Sequence, residues 1–308
     1  MVPNESRSTL ASGVPAGDLG TARSKVERLT TVRRLLRHRK GAIGTVVLLL
    51  LCLMGLFGHQ LAPHDPNEIH IETQLAPPSR EYLLGTDELG RDVLSRILYG
   101  ARPSMAAGLM TVAVAATLGT IIGLAAGYIS SWFDSLVMSV MDTLLSFPSI
   151  FLAIGIVTVL GPGWINAVLA IVIVFTPSFA RLVRSATLAV SARDFVLAAR
   201  AIGCSDTQIM VRHIFPNCVA PLIVLMAVAA PEAILVEAGL SFLGLGSQPP
   251  APSWGNMLSG AQGYLARSLT NALFPGLVIT VVVFGMNFFA DGLQDAIDPT
   301  RIRAGTKA

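Results

Sequence analysis

Residues Asp194–Asn217 read DFVLAARAIGCSDTQIMVRHIFPN, a polar stretch held between two long apolar ones. Its local signals predict structure. Phe195, Leu197, Ala198, Ala199 and Ile202 favour a first helix with an apolar face. Gly203 can end that helix in the left-handed conformation at little steric cost. Ser205 followed by Gln208 fits a capping box, which starts a second short helix from Asp206 through Thr207 to about His213. Pro216 then sets the entry into the next apolar stretch. The spacing therefore predicts a small two-helix projection with Ile209 and Met210 available for an apolar contact. Such a projection is either an ordinary helical loop or a docking surface for a soluble partner.

The chain around this projection reads as a membrane protein. Of its 308 residues 53% are hydrophobic and only 13% charged, and the mean hydropathy is +0.65. Soluble domains carry about 25% charged residues. Charge-poor apolar stretches lie near 41–61, 104–129, 136–160, 164–182, 218–240 and 271–292, each near the ~20 helical residues that cross a bilayer. The first has a basic flank, but its charge-free core from Gly41 to Gly58 exceeds the roughly 7–15 apolar residues of a signal peptide, so it reads as a retained span.

Lysine and arginine set the expected orientation. Of 22 such residues, 17 fall before the first span, between Arg181 and Arg212, or after the last span. With an even number of spans these segments share one side, which the positive-inside rule makes cytoplasmic. The expected organisation is a cytoplasmic segment 1–40, a first span 41–61, an outer loop 62–103, a membrane domain 104–295 with a cytoplasmic loop 183–217, and a cytoplasmic tail 296–308. Residues 1–32 lack apolar periodicity and are expected to be disordered. Leu94, Ile97 and Leu98 suit a short interfacial helix that leads into the second span.

Within the spans, Gly119, Gly123 and Gly127 form a small-residue ridge, for packing either inside the subunit or against a second membrane subunit. Pro148, Pro177, Pro221, Pro231 and Pro275 are expected to kink their helices. An ionisable group in hydrocarbon is costly unless it faces protein or water. Asp142 and Asp291 lie near cytoplasmic ends. Glu232 and Glu237 lie deeper and, with Ser241, are the candidates for lining a pathway.

No chemistry of the chain's own is expected. Every histidine lies at a span end or outside, so intramembrane serine catalysis lacks a base. His59, His64, Asp65, Glu68 and His70 suit nickel or zinc by type, but their spacing matches no metal pattern, and no metal site is assigned. Cys52, Cys204 and Cys218 form no framework. A secondary transporter would show inverted repeats, which are not evident.

Four motifs then carry a resemblance. Leu197-Ala198-Ala199, Gly203 and Ile214-Phe215-Pro216 resemble the EAA loop of ABC importer permeases. Leu84-Gly85-Thr86-Asp87-Glu88-Leu89-Gly90-Arg91-Asp92-Val93 resembles the outer-loop motif of the peptide/nickel permease family. So do Glu237–Gly246 with Gln248-Pro249-Pro250-Ala251-Pro252-Ser253-Trp254-Gly255, and Asp291–Pro299. The chain is similar to the C-type subunit of oligopeptide and dipeptide importers over about residues 35–303. It departs from the family pattern at Leu197, where Glu is usual, and at Phe215, where Leu is favoured.

The resemblance implies an all-α integral membrane fold of six transmembrane helices, the type I ABC importer permease fold, with both termini cytoplasmic and residues 104–295 as the type-1 transmembrane domain. It implies a multi-pass protein of the bacterial cytoplasmic (inner) membrane, forming half of a pathway for di- or oligopeptides. Nickel chelates, glutathione or haem are the alternative cargo. The implied partners are a homologous second permease subunit, two ATPase subunits or one fused ATPase, an extracytoplasmic substrate-binding protein and membrane lipid, with no nucleic acid. ATP and Mg are used by the ATPase, and no cofactor is bound by this chain. Ala198, Ala199, Gly203, Ser205, Asp206, Thr207, Gln208, Ile209, Met210, Arg212 and Pro216 would form the ATPase-coupling element. Gly85, Thr86, Asp87, Gly90, Arg91, Asp92, Pro249, Pro250 and Trp254 would form the outer motif, with segment 247–266 either receiving the binding protein, capping the pathway or serving as a stiff connector.

Overall fold

A computed structural model describes residues 35–36, 38–129 and 131–297. The expectations for residues 1–32 and for the tail beyond 297 lie outside the described residues. The helices are α1 (Arg39–Leu61), α2 (Val93–Tyr128), α3 (Ser131–Leu145), α4 (Ser149–Leu160), α5 (Trp164–Ser191), α6 (Asp194–Ala201), α7 (Asp206–Phe242), α8 (Trp254–Ala261) and α9 (Thr270–Ile297). Among the described residues, α1, α2, α5, α7 and α9 are each long and apolar enough to cross a membrane, and the bent pair α3 and α4 makes a sixth candidate.

The glycine ridge packs inside the chain. A Cβ on Gly119 would stand 2.4 Å from Phe179 Cβ, one on Gly123 2.5 Å from the Ala180 carbonyl oxygen, and one on Gly127 2.8 Å from Thr187 Cβ. The rising numbers on both helices mean that α2 and α5 run parallel, in contact along much of their length. Such close approach substitutes dispersion contact for a hydrophobic force that lipid cannot supply. α1 lies antiparallel on α9, with Gly41 against Gly292 and Gly44 against Phe289. Lys40 reaches Asp291 (3.6 Å) and His38 reaches Asp295 (3.5 Å), so the start of α1 and the end of α9 share one face of the molecule. Phe179, Ile171, Val183, Ile234 and Leu240 are fully buried where α2, α5 and α7 meet.

Two expectations about span shape change. The stretch 136–160 is not one helix: α3 and α4 meet at 98°. Pro148 cannot donate to the ladder and disfavours helical geometry at Phe147, and Ser146 Oγ closes α3 by donating to the Thr143 carbonyl (2.7 Å). Pro177, Pro221, Pro231 and Pro275 stay inside continuous helices. The interfacial helix expected before the second span is also not separate. It forms the first turns of α2, whose 36 residues extend about 54 Å at ~1.5 Å per residue, beyond the ~30 Å hydrocarbon thickness.

Candidate functional site

The projection predicted at 194–217 is present, and a tyrosine from another helix anchors it. α6 ends at Ala201, and Gly203 adopts φ +84°, the left-handed turn that reverses the chain. Ser205 Oγ accepts from Gln208 N (3.4 Å) while Gln208 Oε1 accepts from Ser205 N (3.2 Å), the reciprocal cap of α7. Tyr128, the last residue of α2, donates its hydroxyl to Asp206 Oδ1 (2.7 Å) and accepts from Arg200 Nη2 (3.1 Å). The Arg200 guanidinium also stands 5.5 Å from the Tyr128 ring centroid, a cation–π distance. The Tyr128 hydroxyl holds this guanidinium above its already high ordinary pKa, so Arg200 stays charged.

The second helix of the projection is not an independent short helix. Asp206–Gln208 passes into a π-helical segment Ile209–Ile214 and on into the span without interruption. Phe215 N donates to the Met210 carbonyl, five residues back. The extra residue in this turn moves backbone carbonyls away from the ring of Pro216, which would otherwise crowd the carbonyl four residues before it.

Burial corrects one assignment. Ile209 is fully buried in the chain's own core, so it is not available to a partner, and Met210 is half-buried. The exposed large apolar groups of the projection are Phe195 (43%), Ile202 (81%), Val211 (57%) and Leu197 (51%), the position where the family pattern has Glu. Ala198, Gly203, Ser205, Asp206, Thr207, Gln208, Arg212 and Pro216 are exposed and Ala199 is buried. Sequence reasoning missed Tyr128 and Arg200 because they lie far apart in the chain, and a half-buried tyrosine at a span end is an ordinary feature.

At the opposite end, the outer motif is a buried, hydrogen-bonded cluster in which Asp92 Oδ1 is left without a partner. Asp87 Oδ1 accepts from Leu89 N and Arg91 N (both 2.9 Å), and Oδ2 receives Arg91 Nε (2.7 Å) and lies 3.3 Å from Arg96 Nε. Arg91 Nη2 also donates to Glu88 Oε1 (2.9 Å). Asp92 caps α2 by accepting from Ser95 N (3.0 Å) and Ser95 Oγ (2.6 Å). Thr86 accepts from Ala76 N (2.9 Å) and donates to the Thr73 carbonyl. Gly85 and Gly90 take φ +80° and +77° in the buried turns between them. Trp254 is fully buried, its Nε1 donating to the Ile97 carbonyl (3.1 Å), whereas Pro249 and Pro250 are exposed. These residues fasten α8 and the outer loop onto α2.

The pathway candidates separate in the same way. Glu237 and Ser241, expected to meet water, are fully buried: Ser241 Oγ donates to Glu237 Oε1 (2.7 Å) and accepts from Ser247 N (3.1 Å). They tie the end of α7 to the loop that follows it. Asn256 is half-buried and donates to the Ala251 carbonyl (2.8 Å). Glu232 is exposed on α7. Among the described residues no three His, Cys, Asp or Glu side chains converge as metal ligands.

Comparison with known proteins places the whole arrangement. Residues 119–303 match the family model described as binding-protein-dependent transport system inner membrane component, and residues 30–78 match the N-terminal transmembrane domain of oligopeptide transport permease C. A di/tripeptide transport system permease protein of Pseudomonas aeruginosa (strain UCBPP-PA14) is 44% identical, over 85% of this chain and 89% of that protein. A dipeptide transport system permease protein of Alkalihalophilus pseudofirmus is 42% identical, over 87% and 88%. A glutathione transport system permease protein of Pectobacterium atrosepticum is 41% identical, over 87% and 89%. With its apolar helices and these matches, the chain belongs to the family of binding-protein-dependent transport system inner membrane components and is a multi-pass permease subunit of an ABC importer in the inner membrane.

Proposed function

We propose that this permease imports di- and oligopeptides handed over by an extracytoplasmic binding protein, and that residues 194–214 transmit the motion of an ATPase subunit to the spans. The coupling reading rests on one observation: a capped projection, anchored to the end of α2 through Tyr128, that presents exposed Ile202 and Val211 next to Thr207. A flexible loop would absorb an imposed displacement, whereas this one continues as helix into α7. A homologous second permease subunit completes the pathway. Two ATPase subunits, or one fused ATPase, bind ATP and Mg on the cytoplasmic face, where both termini of this chain also lie. The permease itself performs no reaction.

The peptide reading is supported by the relatives' printed substrates, di/tripeptide, dipeptide and glutathione, of which glutathione is itself a tripeptide. Uptake by a strain lacking this permease, restored with the gene and offered dipeptides, tripeptides, glutathione, nickel chelates and haem, tests it. Restored uptake of dipeptides and tripeptides is expected, and uptake restricted to chelates or haem would overturn it. For coupling, Thr207→Cys should crosslink to an ATPase subunit in the assembled, active transporter. Absence of that crosslink would remove the docking assignment.

A further inference from the structure

α3 carries a polar face that a lipid-facing helix could not sustain. Ser135, Ser139, Asp142, Thr143 and Ser146 recur at helical spacing, all are exposed, and with Met138 they line one shallow open groove. An adjacent side of α3 is fixed to α5, where Arg184 donates to both carboxylate oxygens of Asp134. One turn deeper on α5, Arg181 pairs with Asp142, but here both side chains are more than half exposed, at 56% and 57%. Asp142 lies three residues before the end of α3 at Leu145, close to the 98° bend. Arg181 lies ten residues before the end of α5 at Ser191, about 15 Å of helix.

Charged side chains in a membrane-spanning region face protein or water rather than hydrocarbon, so this exposed ion pair marks a water-facing surface. Leu136 and Val140, also exposed, lie beside the polar face and suit lipid. Thr143 Oγ1 and Ser146 Oγ spend their protons on the carbonyls of Ser139 (2.8 Å) and Thr143 (2.7 Å), so their outward lone pairs remain acceptors.

We infer that this face of α3 is a water-filled wall of the translocation pathway, and that Asp142 and Arg181 meet the ammonium and carboxylate termini of a passing zwitterionic peptide. The inference rests on the peptide-importer reading above and adds the residues that contact the cargo. Hydroxyls fit peptide amides without regard to sequence, and a carboxylate and guanidinium already paired with each other hold a ligand weakly. Weak, sequential contact is what passage requires, since a tight site would retain its cargo.

The test uses the complete transporter in proteoliposomes with its binding protein. Single substitutions Ser135→Cys, Ser139→Cys, Thr143→Cys and Ser146→Cys are compared with Leu136→Cys and Val140→Cys, read as labelling by a charged methanethiosulfonate above that of the parent protein. Labelling at least about tenfold faster on the hydroxyl positions is expected, since a charged reagent enters water but not hydrocarbon. Trialanine during ATP turnover should slow labelling at Ser139→Cys and Thr143→Cys several-fold, whereas N-acetylated, C-amidated trialanine should not. No difference between the two faces, or disulfide crosslinking of Ser139→Cys to the second permease subunit in every nucleotide state, would overturn the inference. Face-selective labelling that trialanine leaves unchanged, in a transporter shown to import trialanine, would overturn the role of Asp142 and Arg181. Failure of trialanine uptake itself would instead remove the peptide reading.

Discussion

Tyr128 donates its hydroxyl to Asp206 Oδ1 at 2.7 Å, which bonds the end of α2 to the first residue of α7 across 78 positions of sequence. Because the same oxygen accepts from Arg200, one phenol holds both arms of the turn at Gly203. The contacts are exposed, so each contributes little to global stability. Their importance is geometric, since they fix the projection relative to the membrane helices.

Tyr128→Phe removes the hydroxyl and keeps the ring under Arg200. Insertion and assembly should be unchanged. A loosening of about 1 kcal/mol corresponds to roughly a fivefold change in an equilibrium, so peptide transported per ATP hydrolysed should fall several-fold while basal hydrolysis persists. Parallel measurement of uptake and phosphate release in proteoliposomes checks this. An unchanged ratio would show that the bridge does not contribute to coupling.

Gly203 separates backbone strain from crowding. Nothing stands within 4 Å of the position a Cβ would occupy, yet φ is +84°. Any penalty therefore comes from conformation, about 1–2 kcal/mol for ordinary residues and lower for Asn. Gly203→Val should lose most substrate-stimulated ATP hydrolysis, and Gly203→Asn should retain most of it. Equal activity in the two variants would mean that the left-handed turn is dispensable.

What could be read from the chain follows the range of the forces involved. The cap at Ser205–Gln208 and the turn at Gly203 are set within a few residues, and both were legible. The choice between Ile209 and Ile202 as the outward group was not, because it depends on which face of α7 meets α5 and α2. Pro148 was legible as a disruption, but the 98° bend was not, since Pro177, Pro221, Pro231 and Pro275 all lie inside continuous helices. The acids of α3 illustrate the same limit. Asp134 and Asp142 differ in exposure although each meets an arginine of α5, and no local pattern in α3 reveals that pairing.

The parallel packing of α2 on α5 gives a third prediction, with an internal control. Gly123→Ala places a methyl group 2.5 Å from the Ala180 carbonyl oxygen, whereas the Cβ of Gly155→Ala would meet nothing within 4 Å. Overpacking of this kind costs about 1–3 kcal/mol. Gly123→Ala should lower the thermal midpoint of the detergent-solubilised complex by several degrees, and Gly155→Ala should leave it unchanged or slightly raised. Equal midpoints for the two variants would contradict the packing of the ridge inside the chain.

The outer cluster gives the fourth. Asp87 is 6% exposed and balances Arg91 and Arg96, which are 8% and 5% exposed. Glu88 is ion-paired with Arg91, so in Asp87→Ala the Arg96 guanidinium loses its 3.3 Å carboxylate contact while keeping its bond to the Pro66 carbonyl. Leaving one member of a buried pair uncompensated costs about 3–5 kcal/mol, and the two backbone amides that donate to Asp87 Oδ1 lose their acceptor as well. The spans do not depend on this carboxylate, so the chain should still insert. The segment between α1 and α2 should open, however, and limited proteolysis from the outer side should cut between residues 62 and 92 at least about tenfold faster than in the parent, in line with the free-energy loss expected for that segment. Asp87→Glu keeps the charge but adds a methylene to a filled site and should lie between the two. Protease resistance equal to the parent in Asp87→Ala would show that Asp87 does not hold the outer loop on α2.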